Sequence, residues 1–151
     1  MRAINHALTG AFIGLTVSEP TVALPAAIAS HFVLDAIPHH GSQTEHPGIL
    51  RSRLFMVGLL FDALLCVLLV FLLAGRHPLH WLLAALCAFL AASPDFLWFK
   101  RFQLANQHKA WRPGWFGKWA HDIQWFQRPI GFSVEIAWFV AGVMIIIPFL
   151  A

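Results

Sequence analysis

The chain has 151 residues, with 59% hydrophobic residues, 11% charged residues and a formal net charge of +3. With a mean hydropathy of +0.70, this composition excludes an ordinary soluble domain and predicts a single integral membrane domain over residues 1–151. Cys66 and Cys87 sit singly in apolar runs without CxxC spacing, so neither a disulfide framework nor a thiolate metal site is expected.

Met1-Arg2 precedes an apolar run that is interrupted by His6 and lacks a small-residue cleavage site, so the first segment is expected to stay. Five apolar segments follow in order, at 3–17, 20–37, 54–75, 78–99 and 129–151. Crossing the hydrocarbon core takes about 20 helical residues. The last three meet that length, 20–37 is slightly short, and 3–17 is shorter still. The first segment therefore either spans where it is shielded or forms a half-helix packed on its neighbours. Its Gly10 and Gly14 form a small-xxx-small pair that would let another helix approach closely. The expected fold is all-α, a polytopic transmembrane bundle of about five membrane helices plus a short interfacial helix.

Charge placement orients this bundle, because cationic residues in short loops stay cytoplasmic. With the N-terminus inside, Arg2, Arg51, Arg53, Lys100, Arg101, Lys109, Arg112, Lys118 and Arg128 fall on the cytoplasmic side and Arg76 falls outside. Membrane lipids, anionic headgroups included, are thus the expected partners, and the charge calls for no nucleic acid. The long connection, 104–128, mixes Trp111, Trp115, Trp119 and Trp125 with basic residues, a composition suited to the membrane interface. After Pro113-Gly114, the recurrence of Trp115, Trp119, Ile123 and Phe126 predicts a short helix, with His121 and Trp125 on another flank.

Ionisable groups inside membrane segments are costly, so each asks for a partner or a function. Of seven acidic residues, Asp35, Asp62, Asp95 and Glu135 lie within the expected spans. In the expected topology these four, with His6 and His31, fall within roughly 15 Å of the cytoplasmic face. His31 and Asp35, four apart, share one helix face, and His39 would join them only if the helix survives Pro38. Four carboxylates cannot share a low-dielectric pocket without protons or cations, and no Lys or Arg lies within a span. Imidazole with carboxylate is a ligand set for a divalent metal, zinc first, then manganese or iron, and the set is large enough for one or two ions. The expected ligands are His6, His31, Asp35, His39, Asp95 and His121, with Asp62 or Glu135 as general base. Each also has an ordinary reading: Asp62 as a protonated carboxyl satisfied by a neighbouring helix, Asp95 as a partner for groups freed by Pro94, Glu135 as a helix-dipole partner, His6 as a capping residue, His121 as a solvated loop residue. Ser30 and Ser93 could hydrogen-bond to the ligands or merely to their own backbone. HExxH, GxSxG and glycine-rich phosphate loops are absent from the sequence.

Asn5-His6-Ala7-Leu8-Thr9-Gly10, the Asp35-Ala36-Ile37-Pro38-His39 turn and Ser93-Pro94-Asp95 together resemble the bacterial membrane-bound metal-dependent hydrolase family. The resemblance covers most of the chain. It implies a small polytopic inner-membrane protein with a divalent-metal hydrolase centre, and it carries over onto His6, Asp35, His39 and Asp95. His39-His40 stands where a second Thr-His motif would be expected. Asp62, His121 and Glu135 rest on depth alone. The leading expectation is a membrane hydrolase acting on an ester or phosphoester, a lipid among the candidates, at the cytoplasmic face. A divalent-cation or proton transporter would need ionisable groups in both membrane halves, whereas the outer halves here are almost wholly apolar. A non-catalytic adaptor would use the cluster structurally and bind a soluble partner through the Trp-rich segment.

Overall fold

The computed structural model describes residues 1–40 and 52–151, and Arg51 of the orientation pattern lies outside the described residues. The described residues are helical and contain no strand. The helices are α1 (Ala3–Thr16), α2 (Pro20–Ala36), α3 (Arg53–Arg76), α4 (Trp81–Ala92), α5 (Phe96–Asn106), α6 (Trp115–Ile123) and α7 (Gly131–Leu150). α4, the 3-10 turn Ser93–Asp95 and α5 run on as one interrupted 26-residue helix. Three units are long and apolar enough to cross a membrane: α3 with 24 residues, the α4–α5 run, and α7 with 20. α2 is apolar but has only 17 residues.

The fourth segment begins at Trp81 instead of residue 78 and continues to Asn106 instead of ending at 99. Lys100 and Arg101 are thus helical, because good helix formers carry the helix past the point where hydropathy falls. The turn before α4 places His77 and His80 in the left-handed region, with φ of 48° and 64°. The predicted short helix in the connection is α6, whose Trp115, Trp119 and Ile123 follow one another at helical spacing.

α1 sits at the centre. Its 14 residues bury Ile4, Ala7, Leu8, Ala11 and Leu15 against Leu69 and Leu73 of α3, Ala84 and Ala88 of α4, and Ile146 of α7. Enclosed this way, a helix about 21 Å long needs no lipid-facing surface of its own. Its closest neighbour is α4, and the reason is the glycine pair. A Cβ on Gly10 would collide with the Cys87 carbonyl, and one on Gly14 would lie 2.5 Å from the Ala84 Cα. Backbone meets backbone there because neither residue has a side chain to hold the helices apart. The outer helices show the complementary pattern. Of the 24 residues of α3 only Asp62, Leu69 and Leu73 are buried, while Leu60, Phe61, Leu64 and Phe71 lie open, an apolar surface too continuous for water.

Candidate metal centre

The first four residues, at the start of α1, gather carboxylates from three other helices. The Met1 ammonium meets Asp35 Oδ1 of α2 at 2.6 Å. The Arg2 N–H donates to Glu135 Oε1 of α7 at 3.1 Å, and the Ala3 and Ile4 N–H groups donate to Asp62 of α3 at 2.8 and 3.2 Å. A helix start leaves backbone donors unpaired, and in an apolar interior only a side chain can take them up. Asp62 and Glu135 do so here, and the dipole of α1 favours their negative charge.

Asp35 is the hub. Its Oδ1 lies 3.3 Å from His6 Nε2, and its Oδ2 lies 3.3 Å from His31 Nε2 and accepts a 2.9 Å hydrogen bond from Gln124 Nε2. Asp95 Oδ1 stands 3.9 Å from His31 Nε2. His6 and His31 stack with centroids 4.0 Å apart and planes 25° from parallel. One ligand atom from each of His6, His31, Asp35 and Asp95 lies within 4.8 Å of the others, so the group could hold a metal ion. In a tetrahedral site two atoms each about 2.1 Å from one ion are about 3.4 Å apart, so the widest pair would need to close by about 1.4 Å.

Two details of the imidazoles fit a metal. His6 is fully enclosed, yet neither of its ring nitrogens makes a hydrogen bond, although Nε2 stands near Asp35. Leaving such a group unpaired costs about 1–3 kcal/mol, which coordination would recover. His31 Nδ1 lies 2.8 Å from the Ala91 carbonyl, so this nitrogen carries a proton and Nε2 is left facing the carboxylates, where it would give its lone pair to a bound metal, the arrangement that orients metal-bound histidines. Ala91 is in position because the helix breaks just beyond it. Pro94 lacks an N–H, which leaves the Leu90 carbonyl without its helical partner, and the Ser93 hydroxyl donates to it at 2.9 Å. Ser30 likewise donates to Ala27 O at 2.7 Å. Both serines therefore serve their own backbone and not the ligands.

Beside the group is a space of about 10 Å³, walled by His31, Phe32, Asp35, Trp98, Ala120 and Gln124. That is close to the volume needed for one water molecule. α6 covers it, with Phe116 and Trp119 packed on Phe32 of α2.

The remaining expected site residues lie apart from the four. His39 is buried in the turn after α2, with Nδ1 on the Ile37 carbonyl at 2.9 Å and Nε2 without a hydrogen-bond partner. Burial, reinforced by the amino-terminal ammonium, keeps its imidazole below the ordinary range and so neutral. Its backbone carbonyl accepts the Arg128 N–H at 3.1 Å, tying this turn to the segment after α6. His121 faces a different cage: its Nδ1 lies 3.2 Å from Arg101 Nη1, and its ring packs against Trp98 and Trp111. Asp62, the expected general base, stands outside the four-residue group, and each of its oxygens accepts a backbone N–H group. Glu135 keeps one oxygen unpaired, but it stands outside the four-residue group. The described residues contain one such group, which suits one ion and not two.

The sequence reading missed Gln124. It holds Asp35 and is itself held by Gln127 Nε2, which donates to Gln124 Oε1 at 2.7 Å. No spacing signal marks a glutamine in a Trp-rich connector.

The site thus defines a helical protein with a buried centre of two histidines and two aspartates on three helical units, under a cap helix. Comparison with protein-family models, curated proteins and solved structures returned no match.

Proposed function

We propose that the chain is an integral membrane hydrolase whose His6, Asp35, His31 and Asp95 hold one divalent metal, zinc first and manganese or iron otherwise. Its substrate is an ester or phosphoester reached from the lipid surface, and the membrane is the bacterial inner membrane with the N-terminus cytoplasmic. The observation that carries the reading is the water-sized space against His31 and Asp35, beside an imidazole with both nitrogens unpaired. A closed structural site would leave no such room. The resemblance of the His6, Asp35 and Ser93-Pro94-Asp95 motifs to the bacterial hydrolase family supports the same conclusion, as does the gathering of ionisable groups at one end of the bundle.

A metal bound there would supply a water acidic enough to act as nucleophile near neutral pH. The chain's own residues do the rest. Ala91 fixes the His31 tautomer, and Gln124 fixes the Asp35 carboxylate. Phe32, Leu97 and Trp98 wall the slot with apolar surface that excludes bulk water. Asp95, with 29% of its side chain exposed, is the carboxylate best placed to exchange a proton with an incoming group. In the five-span arrangement Lys100 and Arg101 sit on the same side, where their charge would attract an anionic headgroup.

The test is the metal content of the detergent-purified protein, followed by hydrolysis of phospholipids and model phosphoesters with and without added zinc or manganese. The expected result is about one metal per chain in the unmodified protein, loss of it in His31→Ala and Asp35→Ala, and turnover that disappears with Asp95→Asn. Metal content well below one and unchanged by those substitutions would sink the metal centre. Full metal content without turnover of any ester would leave a structural site and overturn the hydrolase.

A further inference from the structure

Of the nine residues of α6 only Ala120 is buried, and its N-cap, Gly114, supplies no side-chain hydrogen bond. Isolated helices of this length are marginal in water and depend on packing for their stability. Within the protein α6 rests on Phe32 of α2 through Phe116 and Trp119, which stay 39% and 44% exposed. Trp115 is 83% exposed, and Trp125, just past the end of the helix, is 70% exposed. Four cations, Lys109, Arg112, Lys118 and Arg128, lie open along the same segment, against one exposed carboxylate, Asp122. A tryptophan-rich surface with this excess of positive charge needs a second surface to cover it.

The depth of α6 in the bundle says which surface that is. The α4–α5 run has 26 residues and is about 39 Å long, whereas the hydrocarbon core of a membrane is about 30 Å thick. With Trp81 at one boundary, the other falls near Lys100 and Arg101, and the end of α5 rises beyond it. The connector then turns back. Trp111 packs on Trp98 with centroids 5.9 Å apart, and α6 packs on Phe32, about one turn before the end of α2. α6 is thus level with the boundary, where tryptophan rings sit among headgroups. Its Ala120 walls the same slot as Leu97, whose side chain is 51% exposed on the apolar outside of α5, so the open rings of α6 adjoin a surface suited to lipid.

We propose that the open face of α6, with Trp125, docks on the anionic headgroup surface of the membrane that the bundle spans, and that this contact holds the helix over the slot beside His31 and Asp35. The rings enter between headgroups, and Arg112 and Lys118 meet the negative charge of the lipid. Gln124 follows α6 directly and binds Asp35 Oδ2 at 2.9 Å, so one residue connects the lipid surface to the buried polar group. The docking does not depend on the hydrolase reading or on a bound metal.

Hydrogen–deuterium exchange of the full, metal-free chain in lipid nanodiscs tests it, reading the backbone amides of 115–124 with those of α1 as the reference. One disc holds choline phospholipid alone, and the other holds equal parts of choline and anionic glycerol phospholipids with the same chains. Each cation close to an anionic surface is worth about fivefold in binding. Exchange in 115–124 should therefore slow by about tenfold or more in the anionic disc, while that of α1 stays unchanged. Arg112→Gln with Lys118→Gln should bring the two discs within about twofold of each other, and Trp115→Ser should speed exchange in the anionic disc by about threefold or more. Slow exchange in both discs alike overturns the proposal, because α6 would then be held by its own contacts with Phe32. Fast exchange in both overturns it too and leaves the face to a soluble protein. So does an anionic preference untouched by the double substitution, or exchange unchanged by Trp115→Ser.

Discussion

α1 presents unlike surfaces to its neighbours. Toward α4 it offers Gly10 and Gly14, and the two helices close until backbone meets backbone, while His6 faces His31 of α2. Toward α3 and α7 it offers Ile4, Asn5 and its first backbone N–H groups, and there a cleft remains. Buried carboxylates occur on both sides, but they are satisfied in different ways. Asp62 and the Oε1 of Glu135 are matched by backbone donors, whereas Asp35 is held by the Met1 ammonium and the Gln124 amide and, with Asp95, faces imidazoles, one of which has no hydrogen bond at all. Residue type alone therefore does not mark a metal ligand in an apolar interior. What sets Asp35 and Asp95 apart is the imidazole nitrogens beside them and not free lone pairs, since both oxygens of Asp35 already accept hydrogen bonds.

Substitutions can separate the two sides, and Asp35→Ala should have the largest effect. It removes the partner of the buried Met1 ammonium and of both imidazoles together. Breaking a buried charged network of this kind costs about 3–5 kcal/mol, and metal should be lost as well. Thermal unfolding in detergent, with and without added metal, checks both, and a stable, metal-loaded variant would dissolve the distinction. Asp62→Asn should behave differently. The amide retains one acceptor oxygen and turns N–H donors toward the α1 backbone, a cost of about 1–3 kcal/mol with metal content unchanged. Loss of metal in Asp62→Asn would join the two sides into one site.

His6→Phe is the sharper probe because it uncouples binding from folding. The ring keeps its place on His31, and no existing hydrogen bond is lost. The metal-free protein should unfold within about 1 kcal/mol of the unmodified chain or be more stable, since a polar group without a hydrogen bond is removed from the interior. Metal binding should nonetheless fall sharply. Destabilisation well beyond that range would mean that His6 is a structural partner of Asp35 and not a ligand in waiting.

The pattern of helices and the gathering of ionisable groups were readable because both leave periodic marks. The four-residue spacing placed His31 and Asp35 on one face, and they stand with Nε2 and Oδ2 3.3 Å apart. The glycines at 10 and 14 predicted a close helix contact, though not that α4 would make it. Less readable were features built on groups every residue possesses. Nothing in the sequence says that the carboxylates of Asp62 and Glu135 will take N–H groups of residues 2–4, because a backbone donor has no letter of its own. The continuation of the fourth segment through Lys100 and Arg101 was hidden by falling hydropathy, which measures transfer and not helix propensity. His121 was judged by residue type, while Arg101, Trp98 and Trp111 engage it elsewhere.

The smallest expected effect is at Gln124, and it bears on whether the cap helix belongs to the metal side. Gln124 follows α6 directly, and its amide holds the Asp35 oxygen that also faces His31. Hydrogen bonds to a metal-binding carboxylate set its orientation, and their removal commonly weakens metal binding by about 10–100-fold. Gln124→Leu should therefore raise the metal dissociation constant by roughly that range while changing unfolding by no more than about 1 kcal/mol, because Gln124 is only partly buried and the Met1 ammonium still pairs with Asp35. Competition with a chelator of known affinity measures the first quantity, and thermal unfolding of the metal-free protein measures the second. An unchanged dissociation constant would make α6 a cover only, whereas a weakened one makes the Trp-bearing connector part of the centre, so that its seating at the lipid surface would bear directly on the geometry of Asp35.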